Sequence, residues 1–178
     1  MYCNVHIFCL LAVSSPDPLS CDRVMEVTLP KHTMYDGELL RYVEKLQIPD
    51  FRGVKMRDEL PPRPHHQECG VLNFNTHLQR GSHWVCWYKN GNERYYFDSF
   101  GEPPPFEMMT YLKTDEEMRD DSPVIRRSAV TVQHYESNEC GSLCLFVLKL
   151  LSENVPFSQI LETLLIRYEH PHPLVIKV

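Results

Sequence analysis

Four residues between positions 83 and 140 have the side-chain types that thiol-dependent acyl transfer requires: His83, Asp98, Gln133 and Cys140. A cysteine attacks a carbonyl as its thiolate, and a histidine acts as the general base. A carboxylate on the second ring nitrogen then holds the imidazole in the useful tautomer. A side-chain amide can donate to the oxygen that becomes negative in the tetrahedral state. These residue types predict nucleophilic catalysis with Cys140 as the nucleophile.

Cys140 begins an apolar run that continues to position 151, and a segment that is apolar on all sides predicts a buried helix. Ser137 or Asn138 is a suitable cap for this helix. A thiol in the first turn has a lowered pKa, because unpaired N–H groups and the helix dipole favour the thiolate. The alternative is an inert buried cysteine, and Cys144, one turn deeper, fits that alternative better than Cys140 does.

The general base and its carboxylate are predicted to meet at the ends of a β-hairpin. Segments rich in aromatic and β-branched residues predict three strands, at 69–74, 83–89 and 94–98. Asn90-Gly91 predicts a type I′ turn between the last two strands. Antiparallel pairing across that turn brings His83 and Asp98 to the same edge of the sheet. Glu93 and Glu102 are the competing carboxylates, but one lies in the turn and the other lies beyond the strand end.

Gln133 is predicted to end a further strand that covers residues 124–133 and leads through a polar loop to Cys140. An amide at this point could donate to an oxyanion together with the Cys140 backbone N–H. An ordinary exposed glutamine is the alternative. Trp84 and Gly141 are candidate substrate-binding residues, since glycine beside the nucleophile leaves room for a substrate backbone.

Three further helices are predicted. The first follows Thr33, capped by Thr33 or Asp36, and Pro49 and Gly53 end it. The others are a short helix at 106–112 and an amphipathic helix at 157–168. The acidic segment 115–121 is expected to be a solvated face.

Several short motifs together resemble a known family. They are His83-Trp84, Asp98-Ser99-Phe100-Gly101, Gln133 and Cys140-Gly141, extended by Phe51-Arg52-Gly53-Val54, Met56-Arg57-Asp58, Glu68-Cys69-Gly70 and residues 83–91. This set resembles the adenovirus-type (adenain-like) cysteine endopeptidases, above all the proteases of Polinton or Maverick elements and adintovirus-like viruses. More distantly it is similar to the SUMO-deconjugating cysteine proteases. The resemblance covers residue 33 to the C-terminus.

The resemblance implies an α+β fold of the papain-like superfamily, with a mixed sheet packed on the helix that bears the nucleophile. It implies precursor capsid and core proteins as substrates, cleaved during virion maturation. A deconjugating isopeptidase acting on ubiquitin-like tails is the alternative. Because residues 99–139 contain no cysteine, we expect no disulfide-linked activating peptide there, and a need for a peptide or DNA activator stays open.

Composition excludes some other classes of protein. A length of 178 residues, with 43% hydrophobic and 24% charged residues, predicts a single globular protease domain, at 33–178, after an N-terminal extension at 1–32. The net charge of −6 argues against a broad nucleic-acid surface. Residues 5–13 are apolar but too short to span a membrane, and we expect a buried strand there.

Cysteine usage bears on location and cofactors. The seven cysteines are odd in number and include no C-x-x-C pair, which favours free thiols in a reducing compartment. We therefore expect a monomeric intracellular protein, in the host nucleus or cytoplasm or packaged in the virion, with no membrane partner, metal or cofactor. A non-catalytic metal module built from Cys140, Cys144, His170 and His172 is the rival of another class.

Overall fold

A central mixed sheet organises the protein, whose structure is a computed structural model that describes residues 25–113 and 125–178. The sheet has five strands, which lie side by side in the order β2 (Phe51–Met56), β3 (Gln67–Asn73), β4 (Trp84–Asn90), β5 (Glu93–Phe97) and β6 (Arg126–Arg127). The inner strands are antiparallel, and each outer strand is parallel to its neighbour. The segments 5–13 and 115–121, interpreted above as a strand and an exposed acidic face, lie outside the described residues.

The helices of the described residues cover both faces of this sheet. They are α1 (Asp36–Lys45), α2 (Phe106–Leu112), α3 (Cys140–Ser152) and α4 (Phe157–Glu169). Cys86 and Tyr88 of β4 pack into the cluster that contains α3, whereas Val85 and Trp87 pack into a second cluster with α2. The alternation follows from the two-residue period of a strand, and β4 is apolar from Trp84 to Tyr88, where both its faces are covered. The predicted α+β class, with a mixed sheet against a buried helix, is confirmed.

A small second sheet joins the two ends of the described chain. Strand β1 (Glu26–Thr28) pairs antiparallel with β7 (Val175–Lys177). Val27 and Leu29 are 1% and 3% exposed and belong to the main core. Residues 26–29, which the sequence analysis assigned to an N-terminal extension, are therefore part of the same packed unit as the predicted protease domain.

Two local predictions were wrong. The predicted strand 124–133 is reduced to β6, and the chain after it is irregular up to Glu139. The Ser128 N–H still donates to the Tyr96 carbonyl of β5 (3.1 Å), but farther along Val132 N–H donates to the Ser99 carbonyl in the loop after β5 (2.8 Å). The hairpin is present, but its two loop residues are Gly91 and Asn92, and only Gly91 has positive φ (58°). A type I′ turn needs positive φ at both positions.

Strands β1, β2 and β7 were not predicted at all. Strand β2 contains Gly53 at φ 117°, and its pairing with β3 shifts register between Phe51 and Val54. The glycine was read as the end of a helix, whereas it occupies an irregular point of an edge strand. Strands β1 and β7 have three residues each, too few for a periodic pattern to be recognised.

Gly70 of β3 offers a test of the sheet packing, because it faces the indole of Trp87 in the neighbouring strand. A Cβ atom at Gly70 would lie 2.5 Å from Trp87 Cζ2, inside contact distance. Trp87 is fully buried, so the ring has no space to move into. We expect Gly70→Ala to lower the free energy of unfolding by about 1–3 kcal/mol, measured by urea denaturation.

Gly37→Ala in α1 is the matched control, since a Cβ at Gly37 would meet nothing within 4 Å. Alanine is the better helix former, and stability should stay equal or rise by about 0.5–1 kcal/mol. Equal stability of the two variants would contradict the close packing of β3 on Trp87.

Candidate active site

Cys140 is the first residue of α3, and its side chain is 7% exposed. The flanking residue at the helix start is Glu139, which makes no side-chain cap hydrogen bond, so the predicted cap at Ser137 or Asn138 was wrong. The position itself agrees with the prediction, since the thiol lies where helix N–H groups have no intrahelical partner.

His83 and Asp98 each lie one residue beyond a strand of the hairpin, which places both side chains at one edge of the sheet. The ring nitrogen Nε2 of His83 donates to Oδ2 of Asp98 over 3.2 Å. The Asp98 side chain is fully buried and that of His83 is 16% exposed. The competing acids lie elsewhere: Glu93 pairs with Arg126 at 3.6 Å, and Glu102 is exposed.

Hydrogen bonds on several sides fix the Asp98 carboxylate. Its Oδ1 accepts from the backbone N–H of Phe100 at 2.7 Å, which leaves Oδ2 for the imidazole. Ser128 holds the backbone of Asp98, since its hydroxyl accepts from the Asp98 N–H (2.9 Å) and donates to the Asp98 carbonyl (2.8 Å). The aspartate is therefore rigid and fully bonded, as a buried charge must be.

The Cys140 thiol and the His83 imidazole interact electrostatically, and their pKa values move in opposite directions. Burial alone would lower the pKa of His83, but the interactions with Asp98 and Cys140 outweigh it and raise that pKa to about 9. Burial alone would raise the pKa of Cys140. The interactions with His83 and with the Trp84 backbone outweigh burial and lower that pKa from its ordinary 9.0. Both shifts favour the thiolate–imidazolium form of the pair over the neutral form.

Gln133 is buried, with 4% of its surface exposed, so the alternative of an ordinary exposed glutamine was wrong. Its Oε1 accepts from the Ser99 hydroxyl at 2.7 Å, and its Nε2 donates to the Ser137 carbonyl at 2.7 Å. An amide NH₂ group has two hydrogens, and this arrangement occupies one of them. The second is available to a group in the cleft that Gln133 and Cys140 both line.

The cleft has a volume of about 580 Å³ and is lined by His83, Trp84, Gln133 and Cys140 among others. Exposed aromatic rings of Tyr35 and Tyr135 stand at its rim, with 76% and 92% of their surfaces exposed. The nucleophile itself is nearly buried. An extended, narrow chain is the kind of ligand that can enter such a site and reach the sulfur.

The two candidate substrate-binding residues differ in position. Trp84 lines the cleft, and its indole N–H donates to the Met34 carbonyl at 2.8 Å. Gly141 is buried away from the cleft lining, and a Cβ there would lie 3.2 Å from Leu39 and 3.3 Å from Met34. The glycine allows α1 and the loop before it to pack closely on α3, and a role of Gly141 in substrate binding stays a prediction.

The metal alternative finds no support in the geometry. In residues 25–113 and 125–178, no group of three or more His, Cys, Asp or Glu side chains could hold a metal ion. Cys144 is fully buried and its thiol donates to the Trp84 carbonyl at 3.4 Å. The cysteines at 69, 86, 140 and 144 are all free thiols.

Sequence reasoning missed Ser99 and Ser128, which hold Gln133 and Asp98. Both are fully buried. Ser99 follows Asp98 directly, and this position beside the predicted catalytic carboxylate was the feature of the sequence that could have indicated its role. Ser128 lies far along the chain and carried no signal.

Removing the Asp98 charge should move both pKa values back toward their ordinary positions. In Asp98→Asn the imidazolium loses its carboxylate, so the pKa of His83 falls and that of Cys140 rises. We expect alkylation of Cys140 by iodoacetamide at about pH 6 to slow by about tenfold, one pKa unit being a factor of ten. Peptide mass spectrometry isolates the rate at Cys140 from that at the other cysteines.

Glu38→Gln is the matched control, because Glu38 forms an exposed carboxylate–imidazole pair with His32 (3.0 Å) on α1. Its alkylation profile should match that of the wild type. An Asp98→Asn profile that also matches the wild type would show that the aspartate does not act on the thiol.

Comparison with known proteins gives one sequence relative. No protein-family model matches the chain. It is 28% identical over 142 residues to the SUMO-1 cysteine protease S273R of African swine fever virus (isolate Pig/Kenya/KEN-50/1950), an alignment that covers 73% of the chain and 45% of the relative. The chain thus spans less than half the length of this curated relative.

Two solved structures are also similar. The crystal structure of the ASFV pS273R protease matches with 17% identity and a TM-score of 0.46, covering 78% of this chain and 67% of the other. The SUMO protease Ulp1, with its catalytic cysteine oxidised to a sulfinic acid, matches with 15% identity and a TM-score of 0.43, covering 78% and 80%. Both TM-scores are below 0.5. The α+β fold is defined by the sheet and helices of the chain itself.

Proposed function

We propose that the chain is a cysteine endopeptidase of the SUMO-protease-like type, with Cys140 as nucleophile, His83 as base, Asp98 as the residue that orients it and Gln133 as an oxyanion donor. The observation that carries the proposal is the buried His83–Asp98 hydrogen bond beside a cleft that His83, Gln133 and Cys140 line together. The sequence similarity to a cysteine protease supports it. A polar cluster that served only the fold would gain nothing from a lowered pKa at the Cys140 thiol, whereas a nucleophile needs one.

The reaction follows from the placement of these groups. The Cys140 thiolate attacks the peptide carbonyl and forms a C–S bond, while the carbonyl electron pair moves onto oxygen. The second Gln133 amide hydrogen and the Cys140 backbone N–H can stabilise that oxyanion. The tetrahedral state collapses as the C–N bond breaks, and His83 gives its proton to the leaving amine. Water, deprotonated by His83, then hydrolyses the thioester and restores the thiolate.

Two substrate classes are candidates. The name of the African swine fever virus relative favours the C-terminal tail of a ubiquitin-like protein. Capsid and core precursors are the second candidate, favoured by the motif resemblance to adenovirus-type proteases and by the viral origin of that relative. In both, the nearly buried sulfur favours small residues such as glycine at the cleaved bond, because larger side chains would block the approach.

The low exposure of Cys140 and the cleft around it generate a prediction about substrate choice. We expect the protein to hydrolyse a ubiquitin-like precursor or a Gly-X-Gly peptide, and the substrate with the higher kcat/KM identifies its substrate class. Cys140→Ala should abolish turnover of either, since only the nucleophile is removed. Cleavage is followed by mass spectrometry of the products.

Cys144→Ala is the control for loss of a cysteine from the same helix. Cys144 is buried one turn deeper, so this change should lower stability by about 1 kcal/mol and leave turnover largely intact. If Cys140→Ala retains turnover, the proposed function is wrong. If only one substrate class is cleaved, the other candidate is rejected.

The proposed role of Gln133 predicts a selective loss. In Gln133→Ala, kcat should fall by about 100- to 1,000-fold while KM changes little, because the amide meets a negative oxygen only in the tetrahedral state. Alkylation of Cys140 by iodoacetamide should keep its wild-type rate, since that displacement forms no oxyanion. Gln159→Ala, an exposed glutamine of α4, is the control. A parallel fall of turnover and alkylation would mean that Gln133 supports the thiolate or the fold instead.

Location and assembly stay predictions. Among the residues that the structure describes, no helix is long and apolar enough to cross a membrane.

A further inference from the structure

An oxyanion donor is useful only if the correct end of its amide faces the substrate. The two ends of a glutamine amide are nearly equal in size, and rotation by half a turn exchanges a donor for an acceptor. With the oxygen toward the cleft, Gln133 would repel the oxyanion that its nitrogen would stabilise. Since Gln133 is 4% exposed, contacts with the protein must decide between the two orientations.

The contact with Ser137 decides between the two orientations. The contact with Ser99 then holds the oxygen end of the amide, since a hydroxyl by itself could donate to the oxygen or accept from the nitrogen. The Ser137 carbonyl is a pure acceptor and lies 2.7 Å from Nε2, so it favours the NH₂ group on its side. The Ser99 hydroxyl lies 2.7 Å from Oε1 and donates to it. Ser99 is fully buried, so loss of its hydroxyl would leave Oε1 of Gln133 without a hydrogen-bond donor, which costs free energy.

We propose that Ser99 is a positioning residue whose hydroxyl holds the Gln133 amide with its NH₂ group toward the cleft. This proposal rests on the proposed function of Gln133 and extends it. Asp98 and Ser99 are neighbours in the chain just after β5, and together they orient both polar partners of Cys140. Asp98 holds the imidazole of His83 and Ser99 holds the amide.

The side chain of Ser99 can be tested apart from its backbone. The Ser99 carbonyl accepts from the Val132 N–H at 2.8 Å, which fixes the chain just before Gln133 and does not depend on the side chain. Ser99→Ala therefore removes the hydroxyl and keeps this backbone bond. It leaves Oε1 buried without a donor, and the Ser137 carbonyl alone then holds the amide in its orientation.

The experiment compares peptide turnover, alkylation and the Gln133 amide signals. Ser99→Ala should lower kcat by about tenfold with little change in KM, while the alkylation rate of Cys140 stays at the wild-type value. In a Gln133→Ala background, Ser99→Ala should lower kcat no further, because the group it positions is gone. The ¹⁵N–¹H signals of the Gln133 side chain, assigned by their loss in Gln133→Ala, should shift in Ser99→Ala.

Two further variants separate positioning from folding. Ser142→Ala removes another fully buried hydroxyl, which donates to the Pro30 carbonyl at 2.6 Å, and it should cost stability without affecting kcat. If Ser99→Ala does not fold, Ser99→Thr and Ser99→Val decide the question, since they have the same shape and differ only in the hydroxyl. Thr should retain most of the turnover and Val should not.

The outcomes separate this proposal from the proposed function. An equal fall of kcat in the wild-type and Gln133→Ala backgrounds, equal activity of Thr and Val, or unchanged amide signals would overturn the role of Ser99. A wild-type protein that cleaves no peptide, with amide signals that shift as expected, would overturn the proposed function and leave the positioning of Gln133 by Ser99 in place.

Discussion

The contact between the buried Asp98 carboxylate and the His83 imidazole is the interaction on which the candidate site depends. A carboxylate with no exposed surface is stable only if every oxygen is bonded and a positive partner is close. Phe100 N–H occupies one oxygen and His83 the other. The Asp98 carboxylate favours the imidazolium form of His83, and His83 in turn lowers the pKa of Cys140.

The rest of the fold brings three separate segments to this contact. The β4–β5 hairpin ends with His83 on one side and Asp98 on the other. Helix α3 packs on the face of β4 that carries Cys86 and Tyr88, and its first residue therefore lies beside the start of that strand. The segment after β6 is fixed to the loop after β5 through Val132 and Ser99, and this places Gln133 next to both.

The elements with strong local signals could be predicted from the sequence. Helix α2 begins and ends at the predicted residues, and α3 and α4 lie within one residue of prediction, because their apolar patterns are long or sharply bounded. The hairpin followed from its β-rich strands and a turn dipeptide. Its turn type did not, since Gly91-Asn92 forms the loop and the register is set by the whole sheet.

What could not be predicted depends on contacts between distant parts of the chain. Gly141 was expected beside the substrate, yet it is needed where α1 packs on α3. Ser99 and Ser128 become parts of the site only through hydrogen bonds that span 34 and 30 residues of sequence. Gln133 lies in irregular chain rather than a strand, and no periodicity marks such a segment.

The most direct test of the account is the ionisation state of His83 in the free protein. Its pKa can be measured by NMR titration of the imidazole ¹⁵N signals, assigned by comparison with His83→Gln. The account predicts a pKa near 9, with His83 protonated and Cys140 ionised at neutral pH, and a lower His83 pKa in Cys140→Ala. An imidazole that is neutral at pH 7, with a pKa at or below the ordinary 6.5, would contradict it.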